Sequence, residues 1–286
     1  MRILKALGVA SLIALFGISS LNDVEAIVRV PVANETSTFK NNKLTIDYSN
    51  ANQGYVMVKY NGDNSKVKIQ VTKDTTYTYD VLNKNNYETF PLSEGNGNYS
   101  IKVFENISGN QYAQAGSQEI SVTLGNEFDP FLYPSQYINF VEESQSTTLS
   151  NSLKGNNIIE TVTNIYDYVV SNISYDNVKA SSVKSGYVPN NDSTLTTKNG
   201  ICFDYASLMC AMLRVQDIPS KLIIGYQGSQ YHAWISVYST ETGWIDNIIS
   251  FDGKSWSLMD PTFASTGGRK YGNCSASGGY TMKYNY

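Results

Sequence analysis

Three residues have the types and the order that covalent acyl chemistry needs: Cys202, then the only histidine, His232, then Asp260. A thiolate attacks a carbonyl carbon, an imidazole takes and returns the proton, and a carboxylate on the second ring nitrogen fixes the tautomer. Cys202 follows Asn199-Gly200-Ile201 and is predicted to open a helix. Unpaired N–H groups and the helix dipole there favour an anion and lower a thiol pKa. Taken singly, each residue has a plainer reading. A cysteine at a helix start is most often a small apolar residue. A lone strand histidine usually bonds something structural, and Asp260-Pro261-Thr262 is a common turn opening. If histidine-assisted cysteine chemistry takes place, His232 has no rival.

The elements that must position these groups can be read from periodicity. Cys202, Ala206, Met209, Cys210 and Leu213 form one helical stripe, which Asp217 and Pro219 end. Strands are predicted at 221–226, 231–238, 243–250 and 256–259, with a last one at 280–286. Alternation puts His232, Trp234 and Ser236 on one face and Ala233, Ile235 and Val237 on the other. The apolar set must face a core, and His232 then looks toward the start of the Cys202 helix. Asp260 ends the run 256–259 and is expected on a strand next to the histidine strand. Upstream, Ile158, Ile159, Val162, Ile165, Tyr166, Val169 and Val170 mark a helix over 156–173, and 176–200 reads as a polar loop. Helices followed by an antiparallel sheet make an α+β layout.

Gly200-x-Cys202-x-Asp204-Tyr205-Ala206, then His232-Ala233-Trp234, then Asp260-Pro261-Thr262 together resemble the transglutaminase-like core over about residues 155–264. Gly225-Tyr226, Trp244 and the lead-in Val169–Asp176 fit the same pattern. The wider papain-like class shares the residue order but differs around the cysteine. The resemblance implies a papain-like fold with Cys202 as nucleophile, His232 as base and acid, and Asp260 as orienter. It also implies a thioester intermediate resolved by water or an amine. The substrate class is protein or peptide, with cell-wall peptide among the options. Hydrolysis ranks ahead of cross-linking, because amine transfer needs a water-excluding acceptor site that no residue here reports.

The Cys202 N–H is one expected oxyanion donor, with Tyr175 as the second and Tyr166 and Tyr187 as its rivals. Trp234 and Trp244 are assigned to packing, Asp204 to complementing the helix dipole, and Cys210 to the core. Cys274, in a Gly/Ser-rich tail, receives no role. The alternative reading is a non-catalytic cell-surface or cell-wall module that keeps the fold. A third gives the work to the N-terminal half, as a glycan or wall-polymer binder.

From about 43 to 124 the chain alternates with period two between turn signals such as Asn61-Gly62-Asp63-Asn64 and Glu94-Gly95-Asn96-Gly97-Asn98. This predicts an all-β, immunoglobulin-like sandwich over 27–125, a Ser/Thr-rich linker over 126–150 and the catalytic part over 151–286. A basic head, an apolar run from Ala6 to about Ile18 and Val24-Glu25-Ala26 read as a signal peptide over 1–26, so the protein is expected to be exported. The whole chain also resembles secreted Gram-positive bacterial proteins that place a β-rich module before this core. A net charge of −4 argues against nucleic acid as the main partner. Three cysteines and one histidine leave no zinc-site spacing, and no cofactor, metal or stable membrane span is expected. No feature fixes an oligomeric state.

Overall fold

The computed structural model describes residues 28–240, 243–251, 256–258 and 280–286. The leader over 1–26, Asp260 and Cys274 lie outside the described residues. The N-terminal half is antiparallel β throughout. The chain forms β1 (Thr38–Lys40), β2 (Leu44–Asp47), β3 (Tyr55–Tyr60), β4 (Val67–Thr72), β5 (Thr76–Asp80), β6 (Tyr87–Pro91), β7 (Gly97–Ser108) and β8 (Gln111–Val122). They make two four-stranded sheets, ordered β1-β2-β3-β6 and β5-β4-β7-β8. The chain crosses between the sheets three times, at β3 to β4, at β5 to β6 and at β6 to β7. Val67, Ile69 and Val71 of β4, Tyr77 and Tyr79 of β5, and Tyr99, Ile101 and Val103 of β7 are buried. They share a core with Leu44, Ile46, Val56 and Val58 of the other sheet. That is the two-layer packing that alternating faces require.

The stretch read as a linker is largely built into the structure. A single 3-10 turn spans Asp129–Phe131, and the Ser/Thr-rich run forms α1 (Gln145–Ser152). Composition pointed to a loop, but here the small hydroxyl side chains serve close packing. Ser146 and Ser150 are fully buried, and Ser150 Oγ donates to the Met212 carbonyl at 2.6 Å.

Next come α2 (Ile158–Asn172), β9 (Ser174–Tyr175), α3 (Asn177–Ser182), α4 (Asn191–Thr197), β10 (Asn199–Gly200) and α5 (Cys202–Val215). Asn157 caps α2 by accepting from the Glu160 N–H at 2.9 Å. The stretch 176–200 is therefore not simply a loop. Asp176 caps α3 through the Lys179 N–H, and Asn190 caps α4 through the Ser193 N–H. The chain then runs through β11 (Ser220–Gln227), β12 (Gln230–Ser239), β13 (Gly243–Phe251), β14 (Trp256–Leu258) and β15 (Tyr280–Asn285). These form one antiparallel sheet ordered β14-β13-β12-β11-β15. Every α5 residue from Asp204 to Val215 is buried, so this helix is the centre of the second half.

The two halves meet over tyrosines. Tyr77 and Tyr79 of the sandwich contact Tyr286 with ring centroids 5.4 and 6.0 Å apart, and Tyr137 lies 4.9 Å from Tyr286. Asn285 accepts from the Tyr77 hydroxyl at 3.2 Å and from Ser93 Oγ at 2.9 Å. Among the described residues no helix is long and apolar enough to cross a membrane.

Candidate active site

Cys202 is the first residue of α5 and is partly buried. The helix starts there because Asp204, in its first turn, turns back to accept from the Ile201 N–H at 2.8 Å. Gly200 makes this possible, since a Cβ at that position would lie 2.8 Å from the Asp204 Cβ. The Gly-x-Cys-x-Asp spacing is thus a packed helix entry with the thiol at its tip.

Backbone N–H groups of Ala233, Phe203 and Cys202 itself bond to the sulfur and favour its anion. Burial works the other way and outweighs them, with the Asp204 charge adding to it, so the Cys202 pKa is raised. The helix N-terminus was expected to lower it. The amides act in that direction, but the loss of solvent is the larger effect.

The Ala233 contact places β12 across the entry of α5, with His232 one residue away. Ala233, Ile235 and Val237 belong to the core that contains α5, as alternation predicted, while His232, Trp234 and Ser236 are buried on the other face. His232 is 3% exposed, and its Nε2 has no hydrogen-bond partner among the described residues. Burial alone pushes its pKa down to about 4, so the ring is neutral at pH 7. Its ring stacks beside Trp234, with centroids 6.2 Å apart and planes 23° apart. Ala233, and not His232, is the β12 residue that meets the sulfur, so the ring expected to look toward the start of α5 lies on the face of β12 away from that helix's core.

The strand order departs from one expectation. β14, which leads toward Asp260, pairs with β13, and β13 lies between it and β12. β13 is the strand expected at 243–250, so the strand leading to Asp260 is one place removed from the histidine strand and not its neighbour.

Tyr175 lies beside the nucleophile. β9 pairs in parallel with β10, setting Tyr175 against Gly200. Its hydroxyl pKa is raised by burial and then by the charges of Cys202 and Asp204. Of its rivals, Tyr166 is 1% exposed in the core face of α2, and the Tyr187 hydroxyl is committed to Asp204. Sequence reasoning missed the company Asp204 keeps. The carboxylate is fully buried and takes Lys179 Nζ at 2.7 Å as well as Tyr187. Both partners come from the stretch read as a loop. The one signal for them was an acid in the first helical turn next to the nucleophile. Trp244 is not deep core: it is half-buried, with Lys221 Nζ 3.8 Å over its ring. Cys210 is buried within α5, as expected.

Residues 147–261 match the family model described as the transglutaminase-like superfamily. A UPF0252 protein of Methanocaldococcus jannaschii is 30% identical over 129 residues, 41% of this chain and 37% of that protein. A protein-glutamine gamma-glutamyltransferase of Pseudomonas aeruginosa is 31% identical over 68 residues, 19% of this chain and 10% of that protein. The uncharacterised YebA of Bacillus subtilis is 21% identical over 193 residues, 57% of this chain and 25% of its own length. The chain therefore spans well under half of these relatives. Among solved structures, a candidate cysteine protease from Cytophaga hutchinsonii superposes with a TM-score of 0.36 at 18% identity, covering 73% of this chain and 67% of that one. Red sea bream transglutaminase gives 0.28 at 10% identity, covering 67% and 47%. Residues 147–261 of this chain are thus similar to the transglutaminase-like superfamily model, over less than half of the chain.

Proposed function

We propose that this chain is an exported cysteine enzyme acting on amide bonds of proteins or peptides through a thioester, with water as the preferred acceptor. One observation carries the reading: the Cys202 thiol sits at the tip of α5 against the amide of Ala233, the residue that follows the buried His232, whose Nε2 has no partner among the described residues. His232 takes the thiol proton as sulfur adds to the carbonyl carbon. The Cys202 N–H and the Tyr175 hydroxyl receive the developing oxyanion. His232 returns the proton to the leaving amine, and the thioester remains. Water, deprotonated by the same imidazole, then releases the acid and the thiol. Asp260 is assigned to orient His232, and its substitution by Asn tests that role. The apolar leader supports export.

A non-catalytic role has one observation in its favour. Burial moves both Cys202 and His232 toward their neutral forms. Incubation with a glutamine-containing peptide and a free primary amine separates the outcomes. Hydrolysis gives a new carboxylate or a cleaved peptide, and transfer gives an amine adduct. A binding module gives neither, with wild type and Cys202→Ala alike.

A further inference from the structure

Asp204 holds together three pieces of chain around the thiol. Its Oδ2 accepts from the Ile201 N–H at 2.8 Å and from Lys179 Nζ at 2.7 Å, and its Oδ1 accepts from the Tyr187 hydroxyl. Ile201 is the entry to the nucleophile's helix, Lys179 is on α3, and Tyr187 lies between α3 and α4. The ammonium of Lys179 also lies 4.3 Å from the centre of the Tyr187 ring. The carboxylate packs close over Gly200, where a Cβ would lie 3.3 Å from Oδ2. Asp204 itself has no solvent exposure, whereas the Lys179 side chain is 28% exposed.

A buried carboxylate two residues from a nucleophile is adverse for a thiolate. Its charge acts against the anions of both Cys202 and Tyr175. The groups facing the sulfur are the Ala233 and Phe203 amides, Asp204 on α5, Tyr175 on β9, and Tyr231 beside His232 on β12. Among the described residues, the cation placed on this acid is Lys179.

We propose that Lys179 and Tyr187 are positioning residues for Cys202. By clamping the Asp204 carboxylate they fix the helix entry that carries the thiol, and Lys179 offsets the negative charge that Asp204 sets beside it. The catalytic consequence rests on Cys202 being the nucleophile, but the effect on the thiol itself can be measured without any substrate.

The test is the rate of alkylation of Cys202 by iodoacetamide from pH 6 to 10 on the full chain, with the labelled residue located by peptide mapping. Lys179→Met is expected to move the midpoint up by about one pH unit, so the rate at pH 7 falls about tenfold. Tyr187→Phe moves it the same way by less. Lys179→Arg restores the wild-type profile. The double variant Lys179→Met with Asp204→Asn returns the midpoint to the wild-type value or below, because the uncompensated charge is gone while an amide oxygen can still accept from Ile201. A purely structural role would lower the melting temperature of both Met variants and leave both midpoints alone. A Lys179→Met profile that superposes on wild type, or one that the second substitution does not reverse, overturns the proposal. If the shift occurs but no acyl-enzyme ever forms, the positioning role stands and the enzymatic reading fails.

Discussion

At the residue scale, the site is defined by two groups that burial keeps neutral. Among the described residues nothing favours the His232 cation, and burial lowers its pKa from the usual 6.5 to about 4. The sign of the pH dependence follows. Between those values the unfolded chain binds more protons, so the stability linked to His232 is complete above pH 6.5 and is lost as pH falls toward 4. The loss amounts to about 3 kcal/mol. Urea midpoints at pH 7 and pH 4 should therefore fall further for wild type than for His232→Gln, and equal falls would contradict the assignment. Cys202 runs the other way, since a raised thiol pKa gives stability that is present below its unfolded value and lost in alkali. Cys202, His232 and the neighbouring Tyr175 could be found in the sequence because each had a spacing or a uniqueness to argue from. Lys179 and Tyr187 could not, because their pairing with Asp204 depends on how 176–190 folds back.

At the element scale, strongly periodic segments were legible. The helix expected over 156–173 is α2 at Ile158–Asn172, and the strands expected at 221–226 and 231–238 are β11 and β12, each slightly longer. Short elements fixed by side-chain caps were not. α3, α4 and α1 carry little apolar pattern, and their order comes from Asx caps and buried serines instead. The strand expected at 243–250 is β13, but that β14 pairs with it and not with β12 was missed, since strand neighbours are decided by pairing and not by periodicity. One close approach within this sheet gives a test. β11 carries Gly225 opposite His232, and a Cβ there would lie 2.0 Å from the Thr281 carbonyl oxygen and 2.9 Å from the Trp234 ring. Gly225→Ala should cost about 3 kcal/mol by forcing β15 and Trp234 apart. It should also slow chemistry at Cys202 by shifting β12. A variant with an unchanged urea midpoint would show that this contact is not tight.

At the scale of the whole molecule, the sandwich and the second half are joined by more than a tether. Arg214 of α5 is 1% exposed and donates to the carbonyls of Tyr133, Ser220 and Tyr286 at 2.6 to 3.2 Å. It thereby links the segment after the sandwich, the α5–β11 turn and the last strand. Burial pushes its pKa down to about 10, which leaves it charged at pH 7. Arg214→Ala would take the side-chain donor from the Tyr133 and Ser220 carbonyls, while Tyr286 keeps the Leu222 N–H at 3.0 Å, and should destabilise the protein by about 3 kcal/mol. With the tyrosine contacts and the Asn285 bonds, this predicts one unfolding transition for both halves by calorimetry. Two resolved transitions would mean that the sandwich folds as an independent module. Sequence alone showed two architectures in series, but not this junction, because its parts are separated by up to about 200 residues of chain.

The central claim is that Cys202 is acylated with His232 as the base. Intact-mass analysis after mixing with an activated ester at pH 7.5 tests it most directly. Wild type should gain one acyl group on Cys202, Cys202→Ala none, and His232→Ala should acylate at least about a hundredfold more slowly. An adduct that persists in Cys202→Ala, or a rate that His232→Ala leaves unchanged, would contradict the account.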